Sequence, residues 1–327
     1  MGDLTEILVA EPETYSKKCI DILAKVGRVT AKKMGHGELL SRIKDFDILV
    51  IRVETKVDRE LIDRAEKLKI IGVAATGLDH VDVEYARQKG IKVVSLKGER
   101  KFLESVNATV EHTFALILSL VRKIPWAFEE VKHERWTRAP FFGWELSGKT
   151  IGIIGFGRLG TKIARIAKSF GMRILTYDPY VSKTITENLG VRKVGIKTLL
   201  SRSNVIVVCA TLTPETENLI GPNEFKQMLL KPILVNIARG KIVNEKALLE
   251  ALEKGQISGA ALDVLSNEVE ADNPLLNNPL IKYANDHDNL IITPHLGGAT
   301  LESMERTGIF IADRIKSLAN KAKQPSL

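Results

Sequence analysis

The 327-residue sequence predicts an α/β fold of two doubly wound parallel-sheet domains with a ligand cleft between them. Three observations lead there. Short apolar runs alternate with charged amphipathic stretches through the first hundred residues. The alternation restarts after residue 149, where an apolar strand runs directly into Gly155-Phe156-Gly157-Arg158-Leu159-Gly160. A chain of this length also exceeds the comfortable size of one hydrophobic core.

In the first series, strands are expected at Ile7–Ala10, Asp47–Ile51, Leu68–Val73 and Lys92–Ser95, with amphipathic stretches at Arg59–Glu66 and Val83–Lys89. Asn107–Val121 is a helix-like apolar segment that carries the chain between domains. All three tryptophans follow it, Trp126, Trp136 and Trp144, with Phe141 and Phe142 beside them. This aromatic arm lacks the clean period of a core helix or strand, which predicts burial against a second subunit. Strands of the second series are expected at Thr150–Ile154, Arg173–Tyr177, Val205–Cys209, Ile233–Asn236, Gly259–Asp263 and Leu290–Thr293. Helices are expected at Leu159–Ser169, Asn223–Leu229 and Glu245–Lys254, the last stopped by Gly255. Leu301–Leu318 reads as a C-terminal helix, and Ala319–Leu327 as a polar tail with little reason to be ordered. In such folds ligands gather beyond the carboxyl ends of the strands.

Composition narrows the function. Apolar content of 44% and charged content of 27% are those of an ordinary soluble globule. The two cysteines, Cys19 and Cys209, offer neither a disulfide framework nor a close-spaced metal motif. The N-terminus carries Asp3 and Glu6 and no basic-then-apolar signal, and the apolar run Phe114–Val121 is too short to span a bilayer. A cytoplasmic protein with no membrane partner is expected. The net charge of +8 comes from lysines interleaved with acids, without an aromatic–basic stripe, so no nucleic-acid partner is expected. A positive field that recruits anionic small molecules suits the pattern better.

The glycine-rich turn sits in the context that gives it meaning: strand, turn, helix, second strand, then Asp178 eighteen residues beyond Gly160. Gly155 permits the tight turn, Gly157 leaves room for a pyrophosphate, and Gly160 lets the helix approach the sheet. The helix opening at Arg158 and Leu159 points backbone amides at the phosphates. Asp178 would accept the adenosine ribose hydroxyls and repel a 2′-phosphate, so NAD is the expected cofactor rather than NADP. The predicted domain is therefore of the Rossmann type.

Three polar groups end apolar strands. Arg239, in Val235-Asn236-Ile237-Ala238-Arg239-Gly240, is a cation beside a glycine, a costly placement unless an anion pairs with it. A substrate carboxylate fits its fork. Asp263 ends Gly259–Asp263 near the expected nicotinamide, and Glu268 follows in reach of a partner. His295 comes directly after Leu290–Thr293. Among the six histidines, His36, His133 and His287 lie in polar surface-like contexts, His80 in a turn and His112 on a helix. NAD oxidises a secondary alcohol only if the hydroxyl proton leaves as hydride departs. His295 can accept that proton, and in protonated form can return it. Glu268 would favour the protonated imidazole and fix its orientation. Arg239 would hold the carboxylate and polarise the reacting oxygen, and Asp263 would fix the nicotinamide carboxamide. No metal is expected, since the scattered carboxylates offer no HxH or HExxH spacing.

These residues resemble the D-isomer-specific 2-hydroxyacid dehydrogenases over nearly the whole chain. The resemblance is carried by ATGLDHVDV (75–83), GKTIGIIGFGRLG (148–160), TYDP (176–179), LTPETENLIG (212–221), NIARGKIVNEKALLEAL (236–252), GAALDV (259–264) and TPHLGGAT (293–300). It implies an interdomain active site, with residues 1–104 and the C-terminal helix as substrate-binding domain. Residues 105–298 would be the NAD-binding domain, and 299–327 the returning helix and tail. The arm 122–147 would embrace a partner in a homodimer. Catalysis would fall to His295, Glu268 and Arg239. Cofactor contacts would include Thr211 and Ala238, and amides near Thr76 and Gly77 would help hold a small anionic 2-hydroxy or 2-oxo acid.

Within the family, IRVETKVDRELI (51–62) is similar to the phosphoglycerate dehydrogenase branch in its short form, with Arg52 placed for a phosphate. Val73, where a basic residue is usual, and SLKGERKFLES (95–105) depart from that branch. The latter would supply Lys97, Arg100 or Lys101 to an anionic substrate. No regulatory domain is expected after residue 327. Alternatives are a glyoxylate or hydroxypyruvate reductase, another 2-hydroxyacid dehydrogenase, or, outside enzymes, an NAD-sensing corepressor.

Overall fold

The apolar runs of the first hundred residues become β1 (Glu6–Val9), β3 (Ile48–Ile51), β4 (Ile70–Val73) and β5 (Lys92–Ser95), joined by β2 (Arg28–Ala31) at one edge. A computed structural model describes residues 4–268 and 273–323. Two units emerge: Met1–Val106 with Ala299–Leu327, and Asn107–Gly298.

In the first unit all pairings are parallel, in the order β2-β1-β3-β4-β5. Parallel strands need crossovers, so helices cover both faces and the strands alternate between two cores. Leu8, Leu49, Ile51 and Ile71 pack with Leu39, Leu61, Ile62 and Ala86. Ile7, Val9, Ile48 and Val50 pack with Cys19, Leu23, Ile311 and Ile315. Helix Leu301–Lys323 can lie close to the sheet because β4 offers Gly72, where a β-carbon would sit 2.6 Å from Ile315 Cδ1. Helices Arg59–Arg64 and Val83–Gln88 start at Asp58 and Asp82, whose carboxylates accept the Leu61 and Tyr85 amides at 3.0 Å.

The second unit holds β6 (Thr150–Ile154), β7 (Arg173–Tyr177), β8 (Arg192–Lys193), β9 (Val205–Val208), β10 (Ile233–Asn236), β11 (Gly259–Leu262) and β12 (Leu290–Ile292). Their order is β12-β11-β10-β9-β6-β7-β8, again all parallel. One face packs Ile151, Ile153, Val205 and Val235 against Ile117, Ile163 and Ala167. The other packs Ile154, Ile206, Val208 and Leu234 against Phe225, Leu248 and Leu252. The chain winds outward both ways from β6, so the switch in strand order falls between β6 and β9.

Several elements differ from the sequence reading. β2 and the two-residue β8 are edge strands, and their half-exposed residues carry no apolar alternation. Helices Lys17–Leu23 and His36–Arg42 were absent from the expected pattern. The arm contains a helix, Ile124–Lys132, and Trp126 and Trp144 pack partly on the core of their own unit. The terminal helix continues to Lys323 rather than stopping at Leu318, so Ala319–Lys323 is ordered; the rest of the tail lies outside the described residues.

Burial raises the thiol pKa values of both Cys19 and Cys209 to about 12, and Cys209 Sγ also donates to Gly155 O at 3.0 Å. A thiol-exchange reagent at pH 8 is therefore expected to leave both unmodified in the native protein and to titrate both after denaturation.

Candidate active site

The strand ends of the second unit assemble the site. At the end of β6, Gly155 has φ +91°, and a β-carbon there would lie 2.7 Å from the Ala210 backbone. Conformation and space both demand glycine. A β-carbon at Gly160 would lie 2.3 Å from Gly155 O, so the third glycine sets how closely helix Arg158–Ser169 approaches the turn. Gly157, the residue before that helix, is different: a β-carbon there would meet nothing within 4 Å. The protein itself leaves this face open beside the first helical turn, which suits a phosphate. Asp178, just past β7, accepts the Phe156 amide at 2.7 Å and the Tyr180 amide at 2.8 Å. The acid is thus fixed to the glycine turn. Arg158 and Leu159 are half-buried in the first helical turn, and Thr211 is exposed beyond β9.

Arg239 follows β10 in a turn shaped by the buried Asn236. The Asn236 side chain accepts the Ala238 amide at 3.1 Å and donates to Arg239 O at 2.9 Å. Arg239 Nη1 donates to Ala238 O at 2.8 Å. At Gly240 a β-carbon would lie 2.1 Å from the Leu265 carbonyl carbon, so the Arg239 turn presses directly on the loop after β11. That loop carries Glu268, whose Oε2 accepts the Leu265 amide at 3.3 Å and whose Oε1 meets His295 Nδ1 at 2.9 Å. A continuous chain of contacts therefore runs from Arg239 through Leu265 and Glu268 to His295. The carboxylate can only accept, so His295 Nδ1 carries the hydrogen and Nε2 is left as the basic nitrogen.

Asp263, expected beside a nicotinamide, lies just past the end of β11. Its carboxylate, 1% exposed, is turned to His112 Nε2 at 3.0 Å, Thr293 Oγ1 at 2.6 Å and the Leu296 and Gly297 amides at 2.8 Å. Burial would raise its pKa, but the hydrogen bonds from His112 and Thr293 prevail and hold it below the usual carboxylate value. Sequence reasoning passed over His112, Asn236 and Thr293. The available signal was a polar residue at a strand end, or a histidine on an otherwise apolar helix.

In the first unit, Thr76 ends the bend after β4 and Gly77 follows it. Arg52, expected to meet a phosphate, sends Nη1 to Ala74 O at 3.1 Å and Thr307 Oγ1 at 3.0 Å, and Nη2 to Thr14 O at 3.1 Å and Met304 O at 3.2 Å. It ties β3 and β4 to the C-terminal helix. Among the described residues no group of His, Cys, Asp and Glu could hold a metal ion, and no helix is long and apolar enough to cross a membrane.

The strand order of the second unit, with its glycine-rich turn at the switch point, is that of a Rossmann-type fold. Residues 114–297 match the model of the D-isomer specific 2-hydroxyacid dehydrogenase NAD binding domain. The chain is 42% identical over 317 residues to D-3-phosphoglycerate dehydrogenase of Methanocaldococcus jannaschii, covering 96% of this chain and 57% of that protein. It is 37% identical over 313 residues to the human protein of the same name, covering 95% and 56%. It thus spans little more than half the length of these curated relatives. D-lactate dehydrogenase from Aquifex aeolicus, solved with NAD and lactic acid, superposes with a TM-score of 0.83 at 27% identity, covering 97% and 96% of the two chains. The TT0316 protein from Thermus thermophilus has the same TM-score at 31% identity, covering 98% of each. The chain belongs to the D-isomer specific 2-hydroxyacid dehydrogenase family.

Because Gly240 abuts the Leu265 backbone, Gly240→Ala forces two loops apart. It is expected to lower unfolding stability by about 1–3 kcal/mol in denaturant titrations.

Proposed function

We propose that this protein is an NAD-dependent D-2-hydroxyacid dehydrogenase whose preferred pair is D-3-phosphoglycerate and 3-phosphohydroxypyruvate. The observation that carries the reaction class is the 2.9 Å His295–Glu268 pair, in contact through Leu265 with the turn of Arg239. The open face of Gly157, the fixed Asp178 and the helix N-terminus between them fit NAD, with Thr211 and Ala238 beside it. Bound there, NAD supplies the acceptor for a hydride.

The protein's own groups handle the proton and the charge. His295 Nε2 takes the proton from the C2 hydroxyl as that carbon is oxidised, and returns it in the reverse direction. Glu268 stabilises the imidazolium that forms and keeps the ring from turning. Arg239 grips the substrate carboxylate and steadies developing negative charge on the carbonyl oxygen. Residues 105–298 act as the NAD-binding domain, and 1–104 with the C-terminal helix as the substrate-binding domain, with amides near Thr76 and Gly77 as carboxylate donors. The names of the 42%-identical relatives support the phosphorylated substrate.

One observation favours a second reading. Arg52 already spends both terminal nitrogens on four oxygens of its own unit, which points to an unphosphorylated 2-oxo acid such as glyoxylate or hydroxypyruvate. A panel following NADH absorbance decides between them. The favoured reading expects kcat/KM for 3-phosphoglycerate to exceed that for D-glycerate and D-lactate, and equal use of all three sinks it. His295→Ala is expected to lower kcat by about 10²–10⁴-fold while dinucleotide affinity holds.

The partner is a second copy of this chain. Phe128 is 63% exposed, Trp136 90% and Phe142 72%, an aromatic surface that a subunit interface would cover. Sedimentation is expected to give a dimer for the native protein and a shift toward monomer for Trp136→Glu combined with Phe128→Glu.

A further inference from the structure

We infer that His112 is a positioning residue that holds the His295 loop in place through Asp263, an inference that rests on the dehydrogenase reading above. His112 lies in helix Ala108–Val121, with Nε2 3.0 Å from Asp263 Oδ1 and 3.2 Å from Thr293 Oγ1. Thr293 Oγ1 gives its one hydrogen to Asp263 Oδ1 at 2.6 Å and has none left for the imidazole. Nε2 therefore carries a hydrogen and donates it to the carboxylate.

Asp263 collects four donors in all: His112, the Thr293 hydroxyl, and the Leu296 and Gly297 amides. A carboxylate only 1% exposed is tolerated because it is satisfied this fully. The two amides belong to the residues directly after His295. His295 itself has φ +55°, a left-handed conformation that a residue with a β-carbon rarely adopts. Its own amide donates to Asp263 O at 2.9 Å. One aspartate thus clamps the strained residue from both sides, by its carbonyl and by its carboxylate.

The helix meets the same loop a second time. A β-carbon on Gly297 would lie 2.9 Å from Asp263 Oδ2 and 3.2 Å from Thr109 Cγ2, so loop, aspartate and helix are in close register. Withdrawing the His112 donor leaves a buried carboxylate one partner short and slackens the backbone that aims the His295 ring. The glycine turn on β6 shares none of these bonds, so dinucleotide affinity should be spared.

The test compares His112→Gln, whose Nε2 can reach Asp263, with His112→Asn, whose shorter amide cannot. Two readouts are taken: kcat with its solvent deuterium isotope effect, and ADP-ribose affinity by calorimetry. His112→Asn is expected to lower kcat by about 10–100-fold and enlarge the isotope effect, with ADP-ribose Kd held within about 2-fold. His112→Gln should recover most of kcat. Equal behaviour of the two variants, or loss of ADP-ribose binding in step with kcat, overturns the inference. His295→Ala separates the levels: if it keeps turnover, the dehydrogenase reading fails, whereas loss of turnover there with normal kcat in His112→Asn sinks the His112 role alone.

Discussion

Every strand pairing in the seven-stranded sheet is parallel and in register, so all the carboxyl ends emerge along one rim. That constraint places Gly155 after β6, Asp178 after β7, Arg239 after β10, Asp263 after β11 and His295 after β12. An antiparallel sheet would send alternate members of this set to the opposite edge. The glycines then regulate spacing along the rim. Gly155 lets the β6 turn lie on Ala210, and Gly240 lets the β10 turn lie on Leu265.

Fixed carboxylates held by backbone amides recur as the means of shaping loops. Asp178 holds the glycine turn through Phe156, Glu268 holds its own loop through Leu265, and Asp263 holds the histidine loop through Leu296 and Gly297. The first unit uses the same device. Glu11 Oε1 and Oε2 accept the amides of Arg52, Val53, Glu54 and Thr55 at 3.0–3.2 Å, fixing the turn after β3. A charged acceptor forms stronger hydrogen bonds than a neutral one, so each loop gains a defined shape without a large apolar core beneath it.

Arg52 holds the architecture of the first unit together: its side chain stitches two strands to the terminal helix. Its fork geometry serves peptide carbonyls as readily as phosphate oxygens. Asp263 likewise binds across the fold, to a histidine that lies 151 residues away in the chain.

The buried strands, the glycine turn with its acid and the C-terminal helix were legible in the amino-acid order, as was the placing of Arg239, Glu268 and His295 after successive strands. They depend on local periodicity and on residue chemistry that few other contexts tolerate. The edge strands β2 and β8, the short helices and the arm helix were not legible, because their stability comes from neighbours remote in sequence rather than from their own pattern. Only the tertiary structure decided where each polar side chain points. His112 and Asp263 meet, and Arg52 turns to the helix, because chain folding brings their partners within hydrogen-bond reach, and no spacing in the sequence encodes that distance.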